Sequence, residues 1–257
     1  MIAPFRVLTC ADADYFHFLP YLEANIARKF GRLPLIYDLG LTPEQRAQLK
    51  SEIVSIEVTD AYKASEPTRG FIMTTHKPAC IADCLDRSGE GCLYVDADVL
   101  FVERLTAADL DCAPAGPDIA VTPRHPKERT PLHLENGTIN AGVLYFSRTP
   151  AARGLLDTWT AACAVGDRTD QKALSDLLAG FSILESLGPE IRDDLALMKL
   201  DPRSFNDVRL KTGRILHFKR AGRDPHVTAK LDRYRALEER HPKALTAWFR
   251  ARHALGI

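Results

Sequence analysis

Apolar residues fall into short runs along this chain, and between most runs they recur every three or four positions. Short runs read as strands and the wider spacing as helices packed on them, so the alternation predicts βαβ units and a largely parallel sheet. FRVLTC (5–10) is the first predicted strand, followed by a helix from about Tyr15 to Phe30. PLIYD (34–38) is the second. LGLTPEQRAQL then opens a helix with Thr42 as N-cap, Pro43 at the first helical position and Gln45 completing a capping box. IVSIEV (53–58) is a third strand, a helix is predicted over 75–87, and CLYV (92–95) leads into a pair of aspartates.

Further on, DIAVTP (118–123) and INAGVLYFS (139–147) read as strands enclosing the polar loop RHPKERTPLHLENGT. Thr149-Pro150 starts a capped helix, a second helix is predicted around 168–179, and ILHFK (215–219) is a last short strand. No internal repeat or low-complexity tract interrupts the pattern.

The aspartates stand out because of where they fall. GCLYVDADVLFVE (91–103) sets Asp96 and Asp98 inside an otherwise apolar run that reads as a strand buried on both faces. Two unpaired ionised carboxylates there would cost roughly several kcal/mol. Residues two apart on a strand share a face, so the pair is expected to converge on one partner, most simply a divalent cation. In open α/β sheets ligands bind beyond the carboxyl ends of the strands, where these residues would lie. His76, Cys80 and Cys84, each four apart, share a predicted helix face, but without a fourth ligand that row reads as packing.

Composition narrows the setting. An apolar fraction of 46% over 257 residues suits a folded domain with a sizeable core, read here as one domain over 1–222 and a tail over 223–257. The six cysteines lack CxxC spacing and MIAPFRVLTC lacks a signal peptide's basic start and long apolar core, so a reducing cytoplasm is expected. No apolar run reaches transmembrane length. The sequon Asn136-Gly137-Thr138 carries little weight in that setting. Net charge is zero but uneven: from Arg214 onward eleven Lys and Arg stand against four Asp and Glu. That basic end suits phosphates, an anionic membrane or plain solvent. Residues 241–257 combine Leu245, Trp248 and Phe249 with Lys243, Arg250 and Arg252, as an interfacial helix or a packed terminal helix would.

Five motifs occur in order, KPACIADCL (77–85), the D-x-D, NAGVLYF (140–146), DQKAL (170–174) and LHF (216–218), and the earlier YDLGLTPEQ (37–45) adds to them. Together they resemble the nucleotide-diphospho-sugar transferases of the GT-A fold, in particular retaining glycosyltransferase family 8, over about residues 5–220. The resemblance implies an α/β fold with a mostly parallel central sheet flanked by helices. It also implies transfer of a sugar from a nucleotide diphosphate such as UDP to an acceptor hydroxyl, with retention, on a glycan, a lipid-linked glycan or a protein. No nucleic acid is implied. The metal would be Mn²⁺ or Mg²⁺, held by Asp96, Asp98 and His217. Lys77, Asp96, Asn140, Lys219 and Arg220 would contact the donor, with Arg223 beside them, and Asp170 and Gln171 would line the reaction centre. The chain departs from the family after its histidine, reading HFKRAGRDPH where relatives often continue with glycine, lysine, proline and tryptophan.

Blander roles exist for several of these residues. His217 suits a core position, Asn140 a turn cap, and Asp170 and Gln171 the first turn of a helix. Two other functions share the main motif. Haloacid-dehalogenase-type phosphatases use a D-x-D as nucleophile and acid/base, but on their first core strand, whereas several predicted strands precede Asp96, and the later acidic pair Asp193-Asp194 follows the polar GPEIR rather than an apolar run. A nucleotide-sugar-binding module without turnover would have the same fold.

Overall fold

The computed structural model describes residues 5–58, 75–110, 116–165 and 168–255; Cys112 and the last two tail residues lie outside them. Its strands are β1 (Phe5–Ala11), β2 (Leu35–Asp38), β3 (Glu52–Ser55), β4 (Gly91–Val95), β5 (Val99–Phe101), β6 (Ile119–Pro123), β7 (Ile139–Phe146), β8 (Gly188–Arg192), β9 (Leu195–Lys199) and β10 (Ile215–His217). The helices are α1 (Leu19–Phe30), α2 (Pro43–Arg46), α3 (Lys77–Ser88), α4 (Ala107–Leu110), α5 (Pro131–Glu135), α6 (Pro150–Ala164), α7 (Asp170–Leu177), α8 (Pro202–Phe205), α9 (Pro225–Arg240) and α10 (Pro242–Leu255).

Eight strands form one sheet in the order β3–β2–β1–β4–β7–β6–β9–β8, while β5 and β10 pair separately. Within the large sheet only β7 and β8 run against the rest, so it is mostly parallel, as expected. β4 shows why the middle is apolar throughout. Cys92 and Tyr94 face a core built with α3, α6 and α7, whereas Leu93 and Val95 face the one built with α1. Both faces are covered, so β4 keeps no polar alternate.

Several elements differ from the sequence-based expectation in instructive ways. The run from Gly91 to Glu103 is two strands in two sheets, and Asp96-Ala97-Asp98 is the turn between them. The aspartates converge because that turn is tight, so alternation along one strand is not the cause. The helix expected from Tyr15 begins at Leu19, after a single 3-10 turn over Phe16–Phe18. The strand expected over 53–58 spans Glu52–Ser55. The capping box at Thr42 forms as its sequence dictates: Thr42 Oγ1 accepts from Gln45 N, and Gln45 Oε1 accepts from Thr42 N at 3.0 Å.

Two fixtures hold the site-bearing turn from behind. Asn25 on α1 is buried and pairs with β5 as a neighbouring strand would, donating to Phe101 O at 3.0 Å and accepting from Phe101 N at 2.8 Å. β10 pairs antiparallel with β5 so that His217 lies opposite Val99. The C-terminal helices then close over this corner. Leu231, Leu245 and Phe249 join Phe18, Leu100 and Phe218 in one cluster, and Glu238 on α9 takes Arg28 and Lys29 of α1 as ion-pair partners. Among the described residues no helix is long and apolar enough to cross a membrane.

Candidate functional site

At the carboxyl end of β4 the backbone hands over from sheet to turn. Asp96 N donates to Gly142 O at 2.9 Å, and Phe218 N donates to Asp98 O at 3.0 Å, so β7 and the end of β10 flank the D-x-D directly. The pairing of β6 with β7 shifts register between Val121 and Thr122, pushing residues 141–143 of β7 toward the aspartates. A cleft of about 350 Å³ opens there. Its walls include every residue the sequence nominated: Lys77, Asp96, Asp98, Asn140, Asp170, Gln171, His217, Lys219, Arg220 and Arg223.

Asp96, Asp98 and His217 form the one group among the described residues that could hold a metal ion, with their ligand atoms within 4.8 Å of one another. His217 Nε2 lies 3.2 Å from Asp98 Oδ1 and 3.7 Å from Asp96 Oδ2. The other ring nitrogen fixes the tautomer. His217 Nδ1 lies 2.7 Å from Asn206 Oδ1, while Asn206 Nδ2 donates to Thr122 Oγ1 at 2.9 Å and to Asn140 O at 3.4 Å. Thr122 Oγ1 itself donates to Asn140 O, so every other group around this amide calls for its NH₂. The amide oxygen therefore faces the ring and accepts from Nδ1, which leaves Nε2 directed at the two carboxylates. Two carboxylates and one imidazole nitrogen converging on one point are a donor set that suits a hard divalent cation between them. The row His76, Cys80, Cys84 is packing: both thiols are fully buried in the core.

Room for the cluster is left by Gly142. A Cβ there would come 2.5 Å from His217 Cε1 and 2.9 Å from Asp96 Oδ2. No positive φ requires this glycine; the crowding does.

Lys77, at the first position of α3, is 2% exposed yet charged. Its Nζ lies 3.2 Å from Asp96 Oδ1, 2.9 Å from Asp170 Oδ2 and 3.0 Å from Ala141 O, with the Tyr94 ring 4.7 Å away. Burial alone would lower its pKa, but Asp170 and then Asp96 outweigh that and hold the ammonium well above the ordinary lysine range. Asp96 responds in kind: burial works against its charge, Lys77 overrides it, and its pKa is lowered. Tyr94 OH donates to the same Oδ1 at 2.9 Å, leaving Oδ2 toward His217.

α7 presents the remaining pair. Thr169 caps it, its hydroxyl accepting from Lys172 N, which places Asp170 in the first turn, and Trp159 Nε1 anchors Asp170 O at 2.8 Å. Gln171 bridges two backbones, accepting from Ala141 N at 3.3 Å and donating to Asn136 O at 2.8 Å. Asn140 lines the cleft, but its Oδ1 accepts from Gly142 N at 3.1 Å, so that oxygen shapes the turn. Lys219 is engaged by Glu128 Oε1 at 2.9 Å, whereas Arg220 and Arg223 make no side-chain ion pair among the described residues. Arg220 takes a φ of 73° and thereby turns the chain beside the cleft.

Sheet order, reversed β7 and D-x-D turn together define the GT-A fold. The chain is similar to the galactosyltransferase LgtC, solved in complex with donor and acceptor sugar analogs, over 90% of its own length and 95% of that chain, with a TM-score of 0.59 and 15% identity. A glycosyltransferase involved in the glycosylation of the major capsid of PBCV-1 is similar over 86% of this chain and 98% of that one, with a TM-score of 0.54 and 14% identity. An active-site mutant of LgtC is similar over 77% and 88%, with a TM-score of 0.51 and 14% identity. At such identities the likeness is one of fold. No protein-family model and no curated protein matches the chain.

Proposed function

We propose that this chain is a metal-dependent glycosyltransferase moving a sugar from a nucleotide diphosphate, UDP, to an acceptor hydroxyl with retention at the anomeric carbon. The observation that carries the reading is the convergence of Asp96, Asp98 and His217, with Nε2 directed at both carboxylates, beside the Lys77–Asp170 pair in one cleft of a GT-A fold. The three ligands would hold Mn²⁺ or Mg²⁺, and a bound cation would offset the negative charge that grows on the leaving diphosphate. Arg220 and Arg223, without an ion pair among the described residues, are placed to add positive charge to the same phosphates.

In the transfer the bond from the anomeric carbon to the diphosphate oxygen breaks and its electron pair stays on that oxygen. The acceptor oxygen bonds to the same face of the carbon, and its proton passes to the departing phosphate. Asp170 keeps a carboxylate near the carbon as it turns cationic, with Lys77 holding that carboxylate in place. Gln171, tied at both ends of its amide, shapes the wall beside it. Peripheral membrane contact through the basic C-terminal helices belongs to the same proposal. The phosphatase reading fits less well, because Asp96 here follows the fourth strand in the chain and lies beside an antiparallel neighbour.

The test is a panel of sugar nucleotides incubated with the protein and Mn²⁺ or a chelator. Release of nucleoside diphosphate from one UDP-sugar, only with metal, is the expected result. Metal-dependent binding without any release would make the chain a binding module, and trapping of Asp96 by beryllium fluoride would make it a phosphatase.

A further inference from the structure

Away from the cleft, α9 and α10 meet the 207–213 loop along a groove of about 600 Å³ that shares no residue with the candidate active site. Its floor is apolar: Leu210, Tyr234, Leu237, Leu245 and Trp248. The Tyr234 ring is wedged there between Phe218 and Phe249, with centroids 5.9 and 6.0 Å away. Arg209, Lys230, Arg233 and His241 form the rim, and among the described residues no carboxylate lines it. Arg209 also borders an adjoining basin with Lys127, Arg203 and Lys211. The two carboxylates of that basin are engaged by the backbone: Asp207 accepts from the amides of Arg209, Lys211, Thr212 and Gly213, and Asp201 from that of Arg203.

Arg28, Arg153 and Arg250 each have a carboxylate partner, whereas Arg209, Lys211, Lys230 and Arg233 have no ion pair among the described residues. Leu210 is moreover held at a φ of 56°, a strained value for leucine, which the four amide bonds to Asp207 sustain. Unpaired cations beside an open apolar floor suit a ligand that is anionic at one end and aliphatic at the other. Inorganic phosphate would leave the floor wet, and a neutral chain would leave the cations without a use.

We propose that this groove binds the phosphate group and proximal chain of a membrane lipid, with phosphate among Arg209, Lys230 and Arg233 and chain over Tyr234, Leu237 and Trp248. The site extends the membrane-contact part of the reading above and rests on it; it is tested without donor or metal, so its failure leaves the transferase reading standing. Trp248 is 44% exposed at the groove and the second tryptophan, Trp159, is fully buried, so ligand binding reads out on Trp248 fluorescence. Titration of the full chain with dodecyl phosphate below its micelle concentration should give a saturable blue shift that dodecyl maltoside and inorganic phosphate do not. Vesicles containing phosphatidic acid should retain the protein, and pure phosphatidylcholine should not. Lys230→Glu with Arg233→Glu, both exposed, should weaken the phosphate response by at least about thirtyfold with an unchanged melting temperature. An equal response to the maltoside, indifference to acidic vesicles, or wild-type affinity in the double variant would each overturn the assignment.

Discussion

His217 is aimed at the carboxylates by Asn206, whose amide oxygen accepts from Nδ1, so the metal-site proposal can be tested at a residue that touches no metal. Asn206→Leu should weaken Mn²⁺ binding about ten- to a hundredfold, the usual cost of losing such an outer partner, measured by calorimetry without donor. Asp98→Asn is the complementary probe, nearly isosteric but uncharged. It should abolish the Mn²⁺-dependent part of UDP affinity while stability without metal holds or rises, since two like charges no longer face each other. Equal UDP affinity in wild type and Asp98→Asn, with and without chelator, would remove the metal bridge from the proposal. Asp96, Asp98 and Lys77 were legible in the sequence because local pattern marks them: charge inside an apolar run, and a lysine opening the preceding helix. Asn206 was not, because nothing in SFNDVRL signals that a later loop folds back beneath a histidine eleven residues on. Gly142 was visible within NAGVLYF, but the reason for it, a missing Cβ beside His217, exists only in three dimensions.

Elements show the same division between local and long-range information. The Thr42 capping box, the first strands and α6 follow from contiguous residues and came out where expected. The hairpin of β8 and β9 did not: GPEIR is polar because β8 is an exposed edge, and Asp193 and Asp194, at φ of 47° and 63°, supply the left-handed turn more often made by Asn-Gly. The break of the D-x-D run into β4 and β5 was equally hidden, since Asn25 and β10, distant in sequence, impose it. Asn25→Leu leaves the Phe101 N–H and C=O without partners, and should cost about 1–3 kcal/mol for each in chemical denaturation. Attachment of α9 depends on pH. Burial opposes the charge on Glu238, but Arg28 and Lys29 outweigh it and lower its pKa. A depressed folded value means that the contribution is complete above the unfolded glutamate value of about 4.3 and is lost as pH falls below it. Glu238→Gln should therefore destabilise by about 1.5–3 kcal/mol at pH 7 and by progressively less in acid, as followed by thermal melts at several pH values.

Over the whole molecule the formal charge is zero, yet like charges are gathered together in ways that bear on ligand binding. Acidic side chains gather at the D-x-D with Lys77 as the buried counter-charge, and Arg220 and Arg223 stand at the edge of the same cleft without acidic partners among the described residues. An apoprotein built this way holds repulsions that a cation and a diphosphate together would relieve, whereas either alone leaves one set of charges uncompensated. Binding to the folded state alone raises stability by mass action, about 2.7 kcal/mol when ligand stands at a hundred times its dissociation constant. For a chain of this size that is a rise in melting temperature of roughly 5–10 °C. We expect that shift with UDP and Mn²⁺ together, little with Mn²⁺ alone, and none with UDP and chelator. In Asp98→Asn the joint shift should vanish. Inorganic phosphate with Mn²⁺ should give a smaller rise than UDP, because the pyrophosphate and the base each add contacts that phosphate lacks. A rise as large with phosphate as with UDP would point to a phosphate-directed enzyme, and the sugar-nucleotide reading of this cleft would fall.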